Sequence, residues 1–498
     1  MSRNTLGWAA LFAALLIAAC SPPADDGSSS DPPTDTAYVP APVYCADGSN
    51  ELCGVMPSMI GPDPALPKKG VGYQGLNDDV ESFDEDIQTP FDNMAWQMFV
   101  AINQVSGGSY AWESYPRVET LFGADSPACD NPNNLPVFSL NAKSDGTPTG
   151  RDEEFLQAAT NRPLVDRNGN WVIFERRVND VEVAYLKNSN WDLTTVAGQQ
   201  AFIEGGNTVN FTESANVANG SLGAIELKIS WRILDTTAGD NPDDYINIQA
   251  LLSVDASEVR NSDEPICETV TLGLVGFHIV QKNPELRSLL AEWIWASFEH
   301  DDNVPLSPNA CDPATESICY EKSTPVVCTA PTDDTNTYSF FNGSCTDSGG
   351  DCPVNTAPGK LDGEDNYYWS ATQPYASEYL YDGKYGTQVA RCWQIYKYTQ
   401  ELNTQWKAKL SGASSVLANY TLIGNQWGGN VEPDGSNVAN GAVPAFLSNS
   451  TMETYIQTEP FGSCIVCHKN AKLAYESDDG GKKVQYDANF SYLLQSAE

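Results

Sequence analysis

Residues Cys464-Ile465-Val466-Cys467-His468 constrain this chain more than any other stretch. Two thiols three positions apart, followed at once by an imidazole, form the pattern of c-type haem attachment. At the start of a helix this spacing lets both thiols reach the two vinyl groups of one porphyrin, and the histidine turns a ring nitrogen to the iron. Cys464, Cys467 and His468 are therefore the expected cofactor-binding residues, with one covalent haem c and His468 as an axial iron ligand. A zinc site would need a second Cys/His pair at metal-ligand spacing, and none follows. A thioredoxin-like dithiol wants a βαβ setting, which is not visible here.

The position of the motif narrows the fold further. Thirty residues follow His468 in a chain of 498, and they contain neither Met nor His. A small class I cytochrome c carries its methionine ligand downstream of the motif, so that fold is not expected. The haem-binding segment, placed at 449–498 and read as helical, must pack on the chain before it. A sixth iron ligand would come from upstream. The chain has three histidines, which leaves His278 and His300. Met94, Met98 and Met452 are the soft candidates, although a methionine is more often core filling. His300 is preferred, because Trp293, Trp295 and Phe298 just before it suit the wall of a dry pocket. The run 291–300 fits either a helix or a strand. Off the iron, His300 with Glu299, or Arg232, would be candidates for a distal acid/base or charge donor. Asp301, Asp302 and Asn303 read as a solvated turn more readily than as a calcium site.

The N-terminus reads as an export signal. Arg3 precedes an apolar run of 12 residues, Trp8 to Ala19, too short to span a membrane but suited to a signal peptide over 1–19. Ile17-Ala18-Ala19-Cys20 resembles the bacterial lipobox, which implies acylation of Cys20 and a lipid anchor to the membrane. Ser21 after it implies, by the same resemblance, the outer membrane, facing the periplasm or the cell surface. The Ser-, Pro- and Asp-rich residues after Cys20 read as a flexible tether over 20–40. A globular unit is expected over 41–498.

Removing Cys20, Cys464 and Cys467 from the 13 cysteines leaves ten, an even number that suits an oxidising compartment. Cys45–Cys53 and Cys345–Cys352 are the short-range pairs expected first. With 27 basic against 66 acidic residues the formal net charge is -39. That surface repels nucleic acid and anionic membranes and suits a basic redox partner.

Periodicity predicts an α+β fold with a β-rich central region. Phe91, Ala95, Met98, Phe99 and Ile102 mark a helix over 91–103. Trp171 to Leu186 reads as strand. Ile225, Leu227, Ile229 and Trp231 alternate with Glu226, Lys228, Ser230 and Arg232, which marks a half-buried strand whose charged face is expected to pair across strands. Ile246–Val254 and Val270–Val280 are further strands. From 301 to 375, Cys311, Cys319, Cys328, Cys345 and Cys352 lie among Asp, Thr, Pro and Gly, which reads as a disulfide-stapled surface insertion. A helix is expected near 388–410, with Cys392, Ile395, Thr399, Leu402, Trp406 and Leu410 on one face. Asn419 to Trp427 reads as a short strand ended by Gly428 and Gly429.

Several runs resemble a set of large bacterial single-haem cytochrome c family lipoproteins of largely unassigned function. They are Gly276-Phe277-His278-Ile279-Val280, Trp293 to His300, Asn303-Val304-Pro305, Tyr420 to Trp427 and Asn449 to Tyr455. The resemblance implies haem c and export, and assigns no substrate and no catalytic residue. The expected role is electron transfer. A peroxidase- or oxygenase-like haem enzyme with an open distal site is the alternative, and a binding protein with a sensing or structural haem is a third.

Overall fold

The alternation from Ile225 onward predicts a strand with one face in a core, and that strand lies inside a seven-stranded sheet. The computed structural model describes residues 42–58, 85–123, 127–140, 155–157, 160–214, 221–283, 293–311, 328–331, 338–343, 354–380, 386–427, 447–457 and 462–497. The strands are β1 (Val137–Leu140), β2 (Ile173–Val178), β3 (Ile225–Ile233), β4 (Asn247–Val254), β5 (Ile266–Lys282), β6 (Trp293–His300) and β7 (Tyr420–Gln426). Their order is β7-β6-β5-β3-β2, with β4 also on β5 and β1 beyond β4. β5 is 17 residues long. Its first half pairs with β4 and its second half with β6. All neighbours are antiparallel except β1 and β4.

Because strand side chains alternate, register decides which residues share a face. Leu227 lies opposite Ile279, Ile229 opposite Phe277, and Phe277 opposite Phe298. This apolar face is covered by two helices, α1 (Glu85–Ile102) and α3 (Lys397–Gly412); a shorter helix, α2 (Asp180–Leu186), precedes α3 in the chain. Phe99 of α1 stacks on Phe298 at 4.1 Å, and Trp96 stacks on Trp406 of α3 at 5.6 Å. The Trp96 indole N–H donates to Asn403 Oδ1 at 2.8 Å, so the buried ring leaves no unpaired donor. Thr399, Leu402, Trp406 and Leu410 are buried along one side of α3, as their spacing predicts.

The opposite face is polar. Arg176 lies opposite Lys228, Lys228 opposite His278, and His278 opposite Ser297. One register step on, Val178, Glu226, Val280 and Trp295 form the next row. Charge here does not alternate across strands as expected, since Arg176 and Lys228 face each other. This face is covered by the end of the chain: residues 447–457, the helix α4 (Cys464–His468), a hairpin of β8 (Lys472–Asp479) and β9 (Lys482–Asp487), and a last 3₁₀ turn Tyr492–Ser496.

Four expectations change. The segment over 449–498 is one helical turn plus a hairpin rather than helical throughout. Within 171–186 the strand stops at Val178 and α2 begins, capped by the Asn179 side chain accepting from the Glu182 N–H at 3.0 Å. Cys392 is not on a helix. It sits in a short strand, Arg391–Trp393, and is bonded to Cys328. Finally, the described parts of 301–375 are not all surface. Phe340 and Trp369 are fully buried, and Tyr367 and Tyr375 join the main core, on irregular backbone that shows no periodicity.

Cys45–Cys53 forms as its short spacing suggests, and Cys129–Cys267 ties two distant segments. Cys345 and Cys352 lie outside the described residues, as do the signal, Cys20 and the tether. Residues 39–498 make one compact unit. Among the described residues no helix is long and apolar enough to cross a membrane.

Candidate functional site

The chain over the polar face is held by a dense set of hydrogen bonds. Asn449 Nδ2 donates to Ser297 Oγ at 3.2 Å and to the Phe298 carbonyl at 3.0 Å. The Ser450 N–H and hydroxyl both donate to the Glu299 carboxylate, at 2.7 and 2.6 Å. Thr451 and Ser230 share a hydroxyl–hydroxyl bond at 2.6 Å. The approach is close enough that β5 must carry glycine beneath it. A Cβ on Gly276 would stand 2.5 Å from both Ser230 Oγ and Thr451 Oγ1. Glu453 follows in this loop, its carboxylate fixed by the Asn449 N–H at 2.9 Å.

The helix α4 starts next to the end of β7. Gln426 donates to Ser463 Oγ at 3.1 Å and accepts from the Ile465 N–H at 3.3 Å, while Ser463 caps the helix. Ile465 and Val466 point into a core with Trp293, Trp295 and the last turn. That leaves Cys464, Cys467 and His468 on the wall of a cavity of about 360 Å³. Its size is in the range that takes a cofactor-sized ligand, roughly 300–1,000 Å³. Lys228, His278 and Glu453 line the same cavity, as does Trp295 beside His468.

Each motif residue has a defined chemical state. Neither Cys464 nor Cys467 is in a disulfide. Burial pushes the Cys464 thiol well above its usual range, with Glu453 and Cys467 adding to the effect. It therefore stays a protonated thiol, the opposite of what a thiolate metal site or a reactive dithiol needs. Burial lowers the His468 pKa to about 4, so the ring is neutral at pH 7. Its Nδ1 lies 2.8 Å from the Phe490 carbonyl. A carbonyl only accepts, so the proton sits on Nδ1 and Nε2 keeps its lone pair, the arrangement of an iron-binding imidazole. The ring is fixed between Trp295 at 4.4 Å and Tyr492 at 5.1 Å. The Nε2 lone pair, the two thiols and the Arg176, Arg177 and Lys228 side chains on the lining suit a haem with its propionates. Among the described residues no cluster of three or more His, Cys, Asp or Glu side chains would hold a bare metal ion.

Of the two upstream histidines, the structure brings His278 to this cavity and takes His300 elsewhere. His278 Nε2 is 3.2 Å from Glu453 Oε2, and Lys228 Nζ is 3.8 Å from Glu453 Oε1. Burial raises the Glu453 pKa, but His278, Lys228 and the Asn449 N–H outweigh it and hold the group below the usual carboxylate range. His300 is in β6, not in a helix. Its Nε2 donates to the Asp244 carbonyl at 3.0 Å, its Nδ1 accepts from the Asp302 N–H at 3.2 Å, and its ring stacks on Tyr245 at 4.2 Å. With both nitrogens committed, His300 is a core histidine at a separate cavity of about 470 Å³.

The other candidates are equally committed. Met94 and Met98 are buried in the core under the apolar face, and Met452 in a smaller cluster. Arg232 is buried between Asp166 and Asp240, at 2.8 and 2.9 Å. Glu299 pairs with Arg391 and positions Ser450. Asp301 pairs with Lys407 at 2.6 Å, and Asn303 donates to the Val275 carbonyl, so 301–303 is a structural turn. Sequence reading missed Lys228 and Glu453 as site residues, and named Trp295 as a pocket wall beside His300, whereas it lies against His468. The signal was there in β3, whose polar side faces protein rather than solvent.

Comparison of the chain with protein-family models, with curated proteins and with solved structures returns no match.

Proposed function

We propose that this chain is an exported, lipid-anchored c-type cytochrome of the large single-haem kind that its sequence resembles. It holds one covalent haem through Cys464 and Cys467, with His468 as an axial ligand, and it transfers electrons to or from a basic partner protein at the outer membrane. The observation that carries the reading is that both thiols and a neutral, Nδ1-anchored imidazole share one cavity wall. When bound, the haem supplies a one-electron iron couple. Phe490 holds the imidazole in the ligating tautomer, Trp295 and Tyr492 fix its plane, and Arg176 and Lys228, each shared with a carboxylate, lie on the same lining. With a net formal charge of -39 on the chain, a basic partner is steered to the surface and an acidic one is not.

One observation favours a second reading, a haem enzyme with an open distal site. His278 hydrogen-bonded to Glu453 on the facing wall is a histidine–carboxylate pair of the kind that serves as a distal acid/base. The first test is haem stain after a denaturing gel, with mass spectrometry of the mature N-terminus. Covalent haem lost in the Cys464→Ala/Cys467→Ala variant and an acylated Cys20 are expected. Stain surviving the double substitution would falsify the attachment. Optical spectra of the ferric protein and of the ferrous protein with CO then separate the readings. A low-spin, CO-resistant iron supports the carrier, and a CO-binding iron supports the enzyme.

A further inference from the structure

Behind the cavity wall lies a carboxyl pair that the haem reading does not use. Glu226 of β3 lines the cavity. Its carboxyl stands beside that of Glu182, on the first turn of α2, and interacts with the Ser491 hydroxyl. Glu182 is fully buried, and among the described residues no N–H or O–H group donates to either of its oxygens. Two ionised carboxylates side by side would repel each other; Glu226 has Ser491 and the cavity to relieve it, but nothing relieves the buried Glu182 oxygens. At least one proton therefore belongs to the pair.

We propose that Glu182 and Glu226 form a proton-binding site coupled to the electron occupancy of the cavity, so that the protein takes up one proton as it is reduced and releases it on oxidation. The inference rests on the haem reading. The balance is one electron from the redox partner onto the haem and one proton from solvent, through the cavity, onto a Glu226 oxygen; both leave on oxidation. The local charges leave this pair as the place to answer an added negative charge. Arg176 of β2 is shared with Glu119 at 3.6 Å, Arg177 is held by Glu175 at 2.6 Å, and Lys228 and His278 both face Glu453. Among the described residues, Asp180 on α2 and Cys464, Cys467, His468 and Tyr492 from the C-terminal segment are further titratable groups on the elements around it.

Burial pushes Glu226 up to about 7, against the pull of Ser491, Glu182 and Arg176. Burial, with the Glu226 charge, holds Glu182 well above the carboxylate range. As a pair they keep one proton through neutrality and take a second near it. An electron in the cavity favours the protonated form. The midpoint potential is then level on the acid side, where the pair is fully protonated in both states, and falls as pH rises past the oxidised-state value. The limit is a tenfold change in the equilibrium per pH unit, or about 59 mV for one electron.

The test measures the midpoint potential of the full-length holoprotein between pH 5 and pH 9, with oxidised-minus-reduced infrared difference spectra. Wild type is expected to show the sloping region and to gain a protonated-carboxyl C=O band on reduction. Glu226→Gln and, separately, Glu182→Gln are expected to flatten the slope and remove the band. A pH-independent wild-type potential, or an unchanged slope in a variant that folds, overturns the coupling. The same band is followed against pH in the haem-free Cys464→Ala/Cys467→Ala protein. There it reports the pair alone, and its absence throughout overturns the proton site itself. A wild type that carries no haem but keeps a titrating band overturns the haem reading and the coupling together, while leaving the pair as a proton site.

Discussion

The two faces of the central sheet solve opposite problems. The face under α1 and α3 is apolar and stacked with aromatic rings, Phe99 on Phe298 and Trp96 on Trp406, and it holds the fold by burial. The face under the C-terminal segment carries Arg176, Glu226, Lys228 and His278. Burying such groups costs free energy unless each finds a partner. The Asn449–Glu453 loop offsets part of that cost: Glu453 meets Lys228 and His278, while Asn449, Ser450 and Thr451 bond Ser297, Glu299 and Ser230. The lesson is that stability and chemistry are separated by the thickness of one sheet.

Substitutions break this comparison from one side or the other. The largest effect is expected on the apolar face. Phe99→Ala removes a fully buried ring and should cost about 3–5 kcal/mol in denaturant unfolding. The haem stain per folded molecule should not change. A loss of stain without loss of stability would show that the faces are not independent.

Next comes the pH dependence of the polar face. Both Glu182 and Glu226 have folded-state pKa values above those of an unfolded chain. Their contribution is fully present below the unfolded value, near 4.5, and is lost as pH rises through about 7. Wild type should therefore lose stability between pH 5 and pH 8, on the order of 1–3 kcal/mol. Glu182→Gln, which gives Glu226 an amide donor, should reduce that loss. An identical pH profile for the two proteins would refute the shared proton.

Gly276→Ala probes the contact between strand and loop. The new methyl meets Ser230, Thr451 and Asn449, so the loop must lift, at about 1–3 kcal/mol. Since Glu453 lies in that loop, the absorption spectrum of the holoprotein should shift as well. The smallest effect separates the two upstream histidines. His300→Ala should lower the melting temperature and leave the haem spectrum as it was, whereas His278→Ala should change the spectrum. The reverse pattern would return the distal role to His300.

Legibility followed the same division. Regular elements whose one side faces the apolar core were readable, because burial imposes a period: the helix around Phe91–Ile102, the strand from Ile225, and the buried side of Lys397–Gly412. Regions held by side-chain hydrogen bonds have no period. Trp369 and Tyr375 are buried on irregular backbone that reads as surface, and Cys392 looked helical only because its spacing matched the helix that follows it. His300 was favoured for its aromatic neighbours. In a strand those neighbours alternate in direction, so Trp295 reaches the cavity while His300 turns to Asp244 and Tyr245.

The sequence by itself determined the attachment chemistry expected at Cys464, Cys467 and His468, because that chemistry depends on spacing within five residues. It also determined the α+β class, through the mixture of periods. Only the tertiary structure decided what stands opposite the motif. His278 comes to it because β5 and β6 align in one register, and Glu453 because Gly276 lets the loop settle on the strand. Glu226 comes to it because the polar side of β3 faces the chain's end. Apart from the β5–β6 pairing, those are contacts between residues some 170 to 270 positions apart, and no local pattern encodes a distance of that kind.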